Sequence, residues 1–168
     1  MRLFLLATAL LFTTAAADAQ ITEDVIEVGG SAKVDFAPDF NVGLAPVVGY
    51  FVTPKFQVGA NPNVATDFDD FFMSISAFGA YYPTGGTEAQ TYPFAGLSLG
   101  ANIAGGDGGG LAIGARAGVQ RFVTDSAALT LALNGSVTDD FDFDEADLFL
   151  SAGFSVFLNR GEARRIVQ

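Results

Sequence analysis

The sequence contains no cysteine, no histidine and no tryptophan, and only 8 of its 168 residues are lysine or arginine. Without cysteine there is neither a disulfide framework nor a thiolate metal site. Without histidine or cysteine, Ser-His-Asp and Cys-His arrangements cannot be built, and neither can a histidine-containing zinc site. The carboxylate pair Asp69 and Asp70 falls in a loop segment with no evident cleft. The GGDGGG run at 105–110 lacks both the Lys-Ser/Thr and the following helix of a phosphate-cradling loop. No enzyme and no cofactor are therefore expected. The scarcity of cations against 19 acidic residues gives a net charge of −11, which repels phosphate backbones and argues against nucleic acid as a partner.

A long apolar run is also missing. Half of the residues are hydrophobic and only 16% are charged, a poor composition for a soluble surface. Yet the apolar run at 3–12 is shorter than the roughly 20 residues a spanning helix needs. With Arg2 before it and Ala17-Asp18-Ala19 after it, the run reads as a secretory signal peptide over 1–19, cleaved ahead of Gln20. The remainder divides into one domain over 20–159 and a basic tail, 160–168, with Arg160, Arg164 and Arg165.

What is present from Val25 onward is period two, punctuated by Gly, Pro, Asp and Thr, the signature of strands. It predicts about eight: 26–36, 40–52, 56–66, 71–82, 92–103, 111–123, 127–138 and 147–158. Most reach the 9 to 11 residues of a tilted membrane-spanning strand. Connections alternate in kind. Those at 53–55 and 124–126 are tight, whereas those at 63–70, 105–110 and 139–146 are longer and rich in Asp or Gly, matching the short periplasmic turns and long outer loops of membrane barrels. The connection at 84–91 is an exception, long on the short side.

The two faces of the third, fifth, sixth and seventh strands sort cleanly. Phe56, Val58, Ala60, Pro62 and Val64 oppose Gln57, Gly59, Asn61 and Asn63. Leu129, Leu131, Leu133 and Val137 oppose Thr130, Ala132, Asn134, Ser136 and Thr138. Alternation alone fits apolar residues turned inward or outward. The size of the polar-face residues decides: Gly59, Gly96, Gly100, Gly114, Gly118 and Gly153 would leave a soluble exterior bare but suit a narrow lumen. The expected fold is an all-β, antiparallel, up-and-down transmembrane barrel of about eight strands, with membrane lipid as its partner. Aromatic residues fall into two levels, read as girdles at the lipid boundaries. Tyr50, Phe51, Phe56, Tyr81, Tyr82, Tyr92, Phe94, Phe122 and Phe157 lie near the tight turns. Phe36, Phe40, Phe68, Phe71, Phe72, Phe141 and Phe143 lie near the loops.

NVGLAPVVGYFVTPKFQVG at 41–59, FGAYY at 78–82, GVQRFVTDSAAL at 118–129 and LFLSAGFSVFL at 148–158 together resemble the outer-membrane β-barrel domain family of small eight-stranded bacterial barrels. The resemblance spans most of the mature chain and implies residence in the bacterial outer membrane after export. Its motifs specify architecture more than function. The final strand departs from the usual aromatic terminus, because Phe157 is followed by the basic tail.

Four charged residues fall on expected inner faces: Glu27, Lys33 and Asp35 in the first strand and Arg116 in the sixth. Buried charges must be paired or hydrated, so a lumen network of Arg116 or Lys33 with Glu27 or Asp35 is expected, or else Glu27 and Asp35 at wet rims. The loops are acidic. The run DDFDFDEAD at 139–147 departs from a calcium loop at Glu145, in place of the required glycine, and at Ser151, in place of the closing glutamate. Divalent cations loosely held at Asp140, Asp142 and Asp144 are the expectation there. The functional expectation is a barrel with a lumen largely filled by side chains, acting structurally or in surface interactions through its acidic loops. The alternatives are a narrow passive pore past Arg116, Gln120, Asn134 and Ser136, and a secreted soluble barrel with an apolar ligand inside.

Overall fold

The computed structural model describes residues 21–35, 41–66, 71–104, 110–138 and 147–159. The expected signal peptide, the basic tail, the loop aspartates and the aromatics Phe36, Phe40, Phe68, Phe141 and Phe143 lie outside them. Eight strands follow in order: β1 (Val25–Asp35), β2 (Asn41–Thr53), β3 (Phe56–Thr66), β4 (Phe71–Tyr81), β5 (Thr91–Ala104), β6 (Leu111–Phe122), β7 (Ala127–Thr138) and β8 (Asp147–Asn159). Each pairs antiparallel with its neighbours in sequence, and β1 pairs with β8, closing an up-and-down barrel. The register is staggered. Following partners from Glu27 through Gly49, Gly59, Phe78, Ser98, Gly114 and Ser136 ends at Asp147, four residues nearer the loop end than Ser151, the partner of Lys33, so one circuit climbs about ten residues.

The closure puts the apolar face outside. Leu44, Leu97 and Leu148 are 62%, 69% and 73% exposed, while Gln57 and Gln120 are almost fully buried within. Monomeric soluble proteins rarely expose a contiguous apolar surface of this kind. Pro46 and Pro62 stand opposite each other in the β2–β3 register, between the Leu44–Val64 and Val48–Ala60 pairs. Neither can donate to the ladder; the Asn61 side-chain amide instead donates to the Pro46 carbonyl at 2.6 Å.

The long β4–β5 connection has a structural reason. It folds across the tight-turn mouth: the Tyr82 amide donates to Lys55 O (2.8 Å), Gly86 N to Ile21 O (3.0 Å), and Phe122 N to Gln90 O (2.8 Å). It thereby ties together the β2–β3 turn, the segment ahead of β1 and the end of β6. Glycine is required twice. A Cβ on Gly85 would run into the Pro54 carbonyl, and Gly86 has φ +82°, a conformation that costs other residues free energy.

Candidate functional site: the lumen

The inner faces stack into three levels, starting from the tight-turn end. The lowest is aromatic. Ring contacts run from Phe94 to Tyr82 (5.4 Å between centroids), Tyr82 to Phe51 (5.1 Å), Phe51 to Phe157 (6.2 Å), Phe157 to Phe122 (4.7 Å) and Phe122 to Tyr92 (5.6 Å). The rings come from β2, β5, β6, β8 and the residue after β4, and Ile21, Val25 and Ala128 pack with them. All six are buried, and burial of each is worth about 2–3 kcal/mol.

This corrects the reading of the lower aromatics as a single lipid-facing girdle. Tyr50, Phe56 and Tyr81 are indeed exposed on the outer surface, but Phe51, Tyr82, Tyr92, Phe94, Phe122 and Phe157 point inward. The physical reason is strand parity: these rings alternate with outward residues, and along each strand they lie on the same face as small or polar inward ones. Phe51 follows Gly49, Phe122 follows Gln120, and Phe157 follows Ser155. Large rings at this level fill space that Gly, Ser and Ala leave open elsewhere. Distance from the turn sets a residue's height in the barrel, and parity sets whether it faces lumen or lipid. The side chains of Phe71 and Phe72, at the other end, lie outside the described residues.

Above the rings lies a polar layer centred on Glu27, which is 4% exposed. The Gln57 side-chain amide donates to its Oε2 and the Gln120 amide to its Oε1, the latter at 2.9 Å. Gln120 also donates to Thr130 Oγ1 (3.2 Å), and the Tyr82 hydroxyl donates to Gln57 Oε1 (3.2 Å). These bonds cross the lumen, because Gln57 is on β3 and Gln120 on β6 while Glu27 is on β1. They rest on the stagger, since no local sequence pattern brings positions 27, 57 and 120 together.

Arg116 occupies the next step up. Its guanidinium lies 4.3 Å from the Phe78 ring centroid and 5.2 Å from that of Phe94, a cation–π arrangement with both. Phe78 fits because Gly59 faces it; a Cβ there would sit 2.6 Å from the ring. Glu27 and Arg116 thus line one cavity, with the contacts of Glu27 made by amides and those of Arg116 by rings. Lys33 and Asp35 belong to β1, but their side chains lie outside the described residues. The aspartates Asp140, Asp142 and Asp144 do as well.

The third level is a polar cavity of about 440 Å³ above this floor, walled by hydroxyls and carboxamides including Asn61, Ser76, Ser98, Asn134 and Ser136. Asn134 is held by donation to Ser151 Oγ at 2.8 Å. Two atoms of its lining residues, Gln120 Oε1 and Arg116 Nε, are themselves fully buried and have no hydrogen-bond partner. The lumen is therefore sealed by rings at one end and hollow above them.

No protein-family model matches the sequence, and no curated protein matches it significantly. Solved structures do match in fold. The N-terminal β-barrel domain of Pseudomonas aeruginosa OprF superposes with a TM-score of 0.65 at 15% identity, covering 81% of this chain and 98% of that one. A de novo designed transmembrane β-barrel gives 0.59 at 12% identity, covering 83% and 99%. Neisserial surface protein A gives 0.55 at 19% identity, covering 79% and 94%. The chain has the closed eight-stranded fold of the small outer-membrane β-barrels.

Proposed function

We propose that this protein is an integral barrel of the bacterial outer membrane, exported through a cleaved signal peptide, with its tight-turn end in the periplasm. Its role is structural or in surface interaction, exerted at the acidic loop end, where Asp140, Asp142 and Asp144 hold divalent cations loosely. The observation that carries this reading is the pairing of an apolar exterior with a lumen closed by six inward rings. An exterior bearing Leu44, Leu97 and Leu148 calls for lipid rather than water, which also speaks against a secreted soluble barrel with an apolar interior. No catalytic role is proposed.

Passive conduction past Arg116, Gln120, Asn134 and Ser136 is the competing reading, favoured by the polar cavity. It requires the rings to part. The mature chain, refolded in detergent and inserted into a planar bilayer, is expected to be electrically silent. Discrete current steps that change with Arg116→Ala would replace the scaffold reading with a pore. Release of the protein from cell envelopes without detergent would refute membrane integration altogether.

A further inference from the structure

We propose that the cavity above the Glu27 layer is a dead-end binding site for a small neutral polyhydroxylated solute, of monosaccharide size. The volume of about 440 Å³ falls within the range of small-molecule sites. Chemistry of the wall selects the class of ligand. Serine hydroxyls and asparagine carboxamides from β3, β4, β5, β7 and β8 line it, and each offers both a donor and an acceptor. Among the described residues its walls carry one acid, Glu27, and one base, Arg116, so the wall has no net charge to offset that of an ionic solute, whose desolvation would go largely unrewarded.

A hydroxyl is donor and acceptor at once, so adjacent hydroxyls of one molecule match a wall whose serine and asparagine side chains reach the cavity from several strands. The seal beneath makes the site a terminus rather than a passage.

The test uses the refolded mature chain in detergent, with D-glucose as probe and ligand-observed saturation-transfer NMR as readout. Saturable binding is expected in the millimolar range. Ser98→Leu, which fills the cavity from β5, should weaken it by at least about tenfold, whereas the outward Leu99→Val should leave it unchanged. Ser136→Leu on β7 serves the same purpose should Ser98→Leu fail to fold, as judged by far-UV circular dichroism. Absence of saturable transfer to glucose from folded protein would mean that the cavity holds water only and would overturn the proposal. Stronger binding of acetate or tetramethylammonium than of glucose would overturn the neutral class. Neither result bears on membrane integration, which the extraction experiment decides separately.

Discussion

Replacing Glu27 by alanine removes the acceptor on which Gln57 and Gln120 converge from different walls of the lumen. Both glutamines are almost fully buried, so their amide hydrogens do not simply return to bulk water. Each unmet buried donor costs about 1–3 kcal/mol, giving about 2–6 kcal/mol for the pair. Three effects move the expectation to the lower half. Water in the adjoining cavity can reach one side of the layer, and loss of a buried carboxylate relieves its desolvation. Gln120 also keeps its bond to Thr130. We expect Glu27→Ala to lower unfolding free energy by about 2–4 kcal/mol, a large share of the 5–15 kcal/mol typical of folded domains. Glu27→Gln should be milder, by about half. Its carbonyl still accepts from one amide, and Gln120, whose Oε1 is unpartnered, can turn over to accept from the new one. Urea unfolding of the variants in phospholipid vesicles, followed by far-UV circular dichroism, measures the difference. A Glu27→Ala variant within about 0.5 kcal/mol of the parent, or a Glu27→Gln variant as damaged as the alanine one, would refute the reasoning.

The same assay tests the outer face: Leu97→Arg, at the middle of the apolar band, should cost about 2–4 kcal/mol and Val52→Arg, beside the tight turn, about 0–1 kcal/mol. Equal effects at the two depths would contradict a bilayer around the barrel. Gly59→Leu should disrupt folding by at least about 1–3 kcal/mol, because its side chain would meet the Phe78 ring and the Val48 carbonyl. Gly79→Ala, on the outer face with the Phe56 ring 3.4 Å away, should be close to neutral by comparison; the yield of refolded protein on a heat-modifiable gel distinguishes them. Phe122→Ala with Phe157→Ala removes two touching rings from the seal and should turn a silent barrel into a conducting one in planar bilayers. An inserted double variant that stays silent would show that the barrier lies elsewhere.

Strand positions were readable from the sequence to within about a residue at most ends, because period-two alternation and turn residues such as Thr53-Pro54-Lys55 act locally. The inside–outside assignment was readable too, since Gly59, Gly114 and Gly118 make sense only where space is short. Long-range contacts were less accessible. That 84–91 is long because it must bridge Lys55, Ile21 and Phe122 depends on groups distant in sequence. The meeting of Glu27 with Gln57 and Gln120 depends on the register stagger, which alternation does not encode. Arg116 illustrates the difference well. Counting charges pairs it with an acid, whereas inward parity on β4 and β5 places Phe78 and Phe94 around it. Parity carries further information at the tight-turn end. Above that level the inner faces are mostly small or polar, Phe78 and Phe149 apart, so a group of inward rings is the feature to explain. Six of them at one level are more than packing requires of any single strand. Their shared height fits the closure proposed above, and a barrel closed at that end would receive or present molecules only from the other.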